Sequence, residues 1–481
     1  MNKKLLVLPA VALASLATLI GCKKNSMPER KSDELYVCVY DGGYGTEWIA
    51  KVAEDYEAAT GVKVVWEADQ SILDRMTSDL ESPSYDVYMS HDISWQQYAA
   101  KGLLEQLDDL YEEEVDCGEA GQIKFVNRLC AGAAEVSSFQ GHYYKSCYTQ
   151  GAGGLVYNIK MFQDNNWEVP RTYDQLLALC QTIVAANLKT ENLTKVVPIA
   201  WSGDREYYWD YPVFEWWAQL GGLDAINAYK AFKGPDGKNS TGYEVFNPNG
   251  MHREFMQAYD MWYQLIAANS SFYNSKPQDA KLTTATSLFA SGAAAMIPYA
   301  QWAKWEIQNN SGITLDFDIA MMKTPRANSS VTTDYNYNVG FGDSIVIPSN
   351  IPDTSKRLAK DFLKYLASPA GCKTFVDKAR GAFLAFDYSK VDLGDLLNDP
   401  YIASINARLT ECTNFNLVST NPIAFINAAA LMPWINNEYY YTKAVAFPSD
   451  AQYQKEAVGN ALYNKAKDSW SSWMKKAGLS D

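Results

Sequence analysis

Residues 35–40 (LYVCVY), the turn Asp41-Gly42-Gly43-Tyr44-Gly45 and residues 47–60 (EWIAKVAEDYEAAT) form the stretch whose reading decides the fold. The first segment is rich in β-branched and aromatic residues. The glycines punctuate it, and Ile49, Val52 and Tyr56 then recur at helical spacing until Gly61 ends the run. This strand-turn-helix unit recurs as a strand over 62–67 with a helix over 71–80, and as a strand over 85–89 with a helix near 94–101. Three such repeats predict a parallel sheet with helices on its faces. Ligands of such sheets sit beyond the carboxyl ends of the strands.

Ahead of this unit the chain carries Lys3 and Lys4, an apolar run over 5–20, and Leu19-Ile20-Gly21-Cys22. The run is short for a membrane span, and a small residue directly before a cysteine fits a lipobox. Residues 1–21 are therefore expected to be a lipoprotein signal peptide, with Cys22 diacylated as the mature N-terminus. An ordinary signal peptide and a short anchor helix are the alternatives. Residues 22–33, polar and interrupted by Pro28, suit a flexible tether.

The body behind the tether is long enough for two or three domains. Hydrophobic residues make up 47% and charged residues 20%, which is globular, while 14 Trp and 32 Tyr are a surplus. Most of these rings belong in cores, but flat amphipathic side chains also make binding surfaces. A net charge of −14 argues against nucleic acid and against electrostatic attachment to anionic lipid. Eight cysteines less the lipidated one leave an odd number, so full pairing is impossible; Cys130 with Cys147 is the one candidate bridge. The three histidines lack ligand spacing, so no metal and no cofactor is expected.

Further along, Gly151-Ala152-Gly153-Gly154 and Asn338-Val339-Gly340-Phe341-Gly342 each precede a new strand, and both are expected to be crossovers between domains. Thr172 is placed to cap a helix with an apolar stripe of Leu176, Leu177 and Cys180.

These pieces resemble the extracellular solute-binding proteins of family 1, the group that includes maltose-binding protein and serves sugar ABC importers. The matching stretches are ATGVKVVWE (59–67), YDVYMSHDISWQQYAAKGLLEQLDDL (85–110), LVYNIKMFQDNNWEVPRTYDQLLALC (155–180), SLFASGAAAMIPYAQWAKW (287–305) and SKRLAKDFLKYLASP (355–369), with the first strand and its Asp41-Gly42-Gly43 turn. The resemblance implies an α/β, periplasmic-binding-protein-like fold: two lobes joined by hinge segments, with the ligand cleft between them. The lobes would comprise 34–149 with 341–388, and 150–340 with 389–481. Closure on a solute shifts the population by its differential affinity for the closed state.

Carried onto this chain, the family pattern implies cleft positions at Asp41, Gly43 and Tyr44, and at Asp92 of the His91-Asp92 motif. It also implies Glu206, Tyr208 and Tyr211, a platform at Trp302, and a further platform at Tyr440 or Tyr441. Asp343 is a weaker candidate, Trp201, Asp204 and Trp209 stand evenly between site and core, and Trp216 and Trp217 read as helix core. Met89 stands where maltose-binding protein has a cleft tryptophan, which speaks against maltodextrin. A sugar presents an apolar C–H face and a rim of hydroxyls, so aromatics beside carboxylates suit it. The expected ligand is thus a carbohydrate, an oligosaccharide, delivered by a monomer to ABC permease subunits at the outer face of the cytoplasmic membrane. A polyamine, iron or peptide binder is the nearer alternative, because acidic and aromatic clefts also suit cations. A surface glycoside hydrolase, with paired carboxylates as its only signature, is the more distant one.

Overall fold

A computed structural model describes residues 31–202, 206–266, 269, 271–273, 281–426 and 455–481. β1 (Glu34–Val39) leads through the glycine turn into α1 (Glu47–Thr60), β2 (Lys63–Ala68), α2 (Ile72–Glu81) and β3 (Val87–Ser90). β1 pairs in parallel with both β2 and β3, and all six of its residues are buried. The two-residue period of the strand divides them. Leu35, Val37 and Val39 face a core with Trp48, Ile49 and Val52 of α1, while Tyr36 and Cys38 face a second core with Ile72, Met76 and Leu80 of α2.

The chain leaves this sheet after β4 (Ser146–Cys147), passes through β5 (Thr149–Gln150) and enters a second sheet at β6 (Gly153–Asn158). There α3 (Tyr173–Ala186) begins at Thr172 with a full capping box: the Thr172 side chain accepts from Gln175 N, and Gln175 reaches back to the Thr172 backbone. β7 (Val197–Ile199), α4 (Asp210–Ala231), α5 (Arg253–Ile266), α6 (Leu282–Ala290), β8 (Ala294–Ala300), α7 (Ala303–Ser311) and β9 (Ile319–Met321) follow in this lobe, with sheet order β7-β8-β6-β9. Trp201, Trp209, Trp216, Trp217 and Trp262 are all buried in its core, so much of the tryptophan surplus is packing. For Trp201 and Trp209, which stood evenly between site and core, the core prevails.

After β10 (Tyr335–Tyr337) the chain returns to the first sheet as β11 (Ser344–Val346), antiparallel to both β3 and β4. That sheet is therefore mixed rather than purely parallel. β11 arrives from the other lobe instead of through a crossover helix, and nothing forces it into the parallel sense. α8 (Asp353–Ala367) and α9 (Pro369–Lys378) pack on the first lobe, and β12 (Phe383–Leu384) pairs with β5 at the passage between the lobes. α10 (Pro400–Glu411) then lies on the second lobe, where Ser404 Oγ accepts from Met321 N at 3.0 Å. β13 (Thr413–Phe415) pairs in parallel with β10, and α11 (Lys455–Lys476) adds Trp470 and Trp473 to the second core. The fold is two α/β lobes joined by hinge segments with a cleft between them.

The cysteines of the described residues are free thiols. Cys147 is not bridged to Cys130; its Sγ lies 3.6 Å from both the Ala133 carbonyl and the Ser137 hydroxyl. Among the described residues no helix is long and apolar enough to cross a membrane.

Candidate functional site

Strand register brings several side chains to the passage between the sheets. Ser344 pairs with Ser90, so the next pair outward sets Asp343 opposite His91, at the carboxyl end of β3. Tyr44, in the loop after β1, reaches the same point and donates its hydroxyl to Asp343 Oδ2 at 3.0 Å. Thr149, on β5, donates to the same oxygen at 3.0 Å and lies 2.9 Å from the Tyr44 hydroxyl.

From the second lobe, Gly153 pairs with Ala300, so the residues just past β8 fall beside the passage. Gln301 N donates to Ala152 O at 2.9 Å, and Gln301 Nε2 donates to the Tyr44 hydroxyl at 3.3 Å. Trp302 follows. Its ring meets that of Tyr44 edge-on, with centroids 6.2 Å apart, and its indole N–H donates to the Tyr208 hydroxyl at 3.3 Å. The turn glycines allow this approach: a Cβ on Gly43 would stand 2.9 Å from Trp302 Cβ and Cγ, and one on Gly45 would run into the Trp305 indole.

The electrostatics centre on Asp343. Burial pushes its carboxyl up to about 6; His91 opposes that rise, the Asp92 charge adds to it, and the bonds from Tyr44 and Thr149 favour the ionised form. Burial also acts to lower His91, but the bond between its Nδ1 and Asp92 Oδ2, 2.8 Å long, and the charges of Asp92 and Asp343 outweigh it. The imidazole is held above its ordinary value. Burial, and then the Asp343 charge, keep the Tyr44 phenol neutral far beyond its ordinary range. The cluster offers hydroxyl and carboxylate acceptors beside two aromatic rings. Among the described residues no group of three or more His, Cys, Asp or Glu side chains is placed to hold a metal.

The comparisons agree with this architecture. The family model of the bacterial extracellular solute-binding proteins matches residues 42–371. The chain belongs to that family. A curated relative, the diacetylchitobiose binding protein NgcE of Streptomyces coelicolor, is 21% identical over 205 residues, 38% of this chain and 43% of that protein. The chain thus matches less than half the length of that relative. Among solved structures, RafE in complex with raffinose superposes with a TM-score of 0.62 at 17% identity, covering 89% of this chain and 98% of RafE. A chitin oligosaccharide binding protein gives 0.64 at 14% identity, with 90% and 99% covered. At these identities the structural likeness speaks for the fold.

Within this solute-binding protein, the expected positions divide into three groups. Gly43, Tyr44, Asp343 and Trp302 stand at the facing ends of the two sheets; Asp41 follows the end of β1 and Asp92 the end of β3, the latter exposed and in a left-handed conformation, φ 51°. Tyr208 and Tyr211 do not face open space. Each is 6% exposed, their rings lie 5.3 Å apart, and both pack in a core with Tyr299. Tyr208 instead meets Trp302 at its edge, its hydroxyl accepting from the indole N–H. Glu206 falls in the short helical turn Glu206–Trp209, and Asp204, Tyr440, Tyr441 and Cys22 lie outside the described residues.

Thr149, Gln301 and Trp305 also belong to the cluster, and sequence reading did not single them out. Gln301 and Trp305 sit inside the quoted AQWAKW motif, but their partners come from distant segments. Two surface cavities of the second lobe, about 710 Å³ beside Arg171, Lys323 and Arg326 and about 540 Å³ beside Tyr157, Phe162 and Trp167, are lined by none of these positions.

Proposed function

We propose that this solute-binding protein captures a carbohydrate, an oligosaccharide, between its lobes and delivers it to the permease subunits of an ABC importer without acting on it chemically. The observation that carries the reading is the meeting of Tyr44 and Asp343 of one lobe with Trp302 of the other at the facing strand ends. A carboxylate accepts from sugar hydroxyls and an indole packs on the C–H face. Asp41 and Asp92 extend the polar rim, and Tyr440 is proposed as a second platform. The names of the relatives support the class: NgcE binds diacetylchitobiose and RafE was solved with raffinose. The lobes are proposed to comprise 34–149 with 341–388 and 150–340 with 389–481, acting as a monomer. Cys22 is proposed to carry the lipid that holds the exported protein at the outer face of the cytoplasmic membrane.

A thermal-shift screen tests the solute class, since a ligand bound only by the native state raises the midpoint with its concentration. Oligosaccharides, diacetylchitobiose and raffinose among them, are expected to raise it. A rise confined to polyamines, peptides or iron would replace the carbohydrate reading.

A further inference from the structure

Gln301 is fully buried, and its amide touches three separate segments of the passage between the lobes. Nε2 donates to the Tyr44 hydroxyl of the first lobe at 3.3 Å, and Oε1 accepts from the backbone N–H of Phe383 on β12 at 3.4 Å. The amide lies directly over Gly151, in the space a Cβ at that position would fill. Tyr44 in turn donates to Asp343, so an unbroken chain of contacts runs from Asp343 through Tyr44 and Gln301 to the next residue, Trp302. A buried amide is tolerated only where it is hydrogen-bonded, and swinging the lobes apart would strip Gln301 of Tyr44 and of the Phe383 N–H.

We infer that Gln301 is a positioning residue for solute capture: it ties the lobe bearing Trp302 to Tyr44 and Asp343 of the other lobe and so sets the angle at which the two lobes face one solute. The inference rests on the proposed reading that Trp302 and Asp343 line the solute cleft. It makes a statement of its own about the solute-free molecule. With the amide in place one lobe angle is favoured, and without it the hinge samples a wider range.

Gln301→Met keeps the length and burial of the side chain and removes both polar contacts. Gly151→Ala leaves Gln301 intact and fills its seat. Small-angle scattering of the solute-free protein, with the thermal midpoint measured alongside, reads the result. Both variants are expected to shift the radius of gyration upward and to broaden the pair-distance distribution while the protein stays folded. A variant that lowers the midpoint but scatters as wild type would overturn the proposal and make Gln301 an ordinary core residue, as would unfolding of both variants. If Gln301→Met alone fails to fold, Gly151→Ala decides. Failure of the cleft reading shows elsewhere: Trp302→Ala would then bind solute as wild type, whatever the scattering of the Gln301 and Gly151 variants.

Discussion

At Asp343 a single carboxylate gathers two hydroxyl donors and faces a histidine, and its protonation is a measurable handle on the site. Burial holds it up to about 6 in the folded chain, against an ordinary value of ~3.9. Between those values the folded chain keeps a proton that the unfolded chain has released, so this group makes the protein less stable as pH rises through that window. His91, held above its ordinary value, contributes stability below that value that is lost at higher pH, in the same direction. Comparison with Asp343→Asn removes the carboxyl together with its charge on His91. Urea unfolding at about pH 4 and about pH 7 should show wild type losing on the order of 2 kcal/mol more than the variant, and equal losses would place Asp343 in an unperturbed setting. Of the side chains that meet in the candidate cluster, Tyr44, Trp302 and Asp343 could be picked out in the sequence because each sits beside a motif or a glycine break. Tyr208 and Tyr211 were legible as aromatics near the site but not as buried ones. Their burial depends on Tyr299 and on the neighbouring strand, which no local spacing reveals.

Elements built from local rules were the most legible. α1 spans Glu47–Thr60 as its apolar spacing predicts, and Thr172 caps α3 through the residue types its own segment supplies. The antiparallel entry of β11 was not legible, since it depends on how the lobes are threaded rather than on the strand itself. The same holds for the fully buried ion pair of Arg408 on α10 with Glu215 on α4. Arg408 also donates to Asn336 Oδ1 at 3.1 Å and to Met322 O at 2.8 Å, and Glu215 Oε1 accepts from Tyr337 N at 2.8 Å. Asn336 carries the network to the hinge by donating to Gly151 O at 3.1 Å. Arg408→Met strands a buried carboxylate whose protonation burial already favours, so a loss of roughly 3–5 kcal/mol in denaturant unfolding is expected. A loss under about 1 kcal/mol would mean that water reaches the pair.

For the whole molecule, two lobes of different threading close on one passage, and the proposed lipid holds the assembly at the membrane. Acyl chains contribute ~0.8 kcal/mol per buried CH₂, and an acidic body adds no attraction to anionic lipid. Cys22→Ser should therefore release a folded protein from the membrane fraction. Unchanged membrane retention in cell fractionation, with no lipid label on wild type, would remove the anchor from the account. The two-lobe plan was legible because the matching stretches run along most of the chain in family order, whereas the particular sugar was not, since it depends on side chains that meet only after folding. The measurement that bears most directly on the central claim is calorimetric titration of wild type and Trp302→Ala with the oligosaccharide that raises the midpoint most. Trp302 stands between Tyr44 of one lobe and Tyr208 of its own, so its loss should weaken binding by roughly 2–4 kcal/mol in a protein that remains folded. A Trp302→Ala protein that binds the same sugar as wild type would contradict capture at this passage between the lobes.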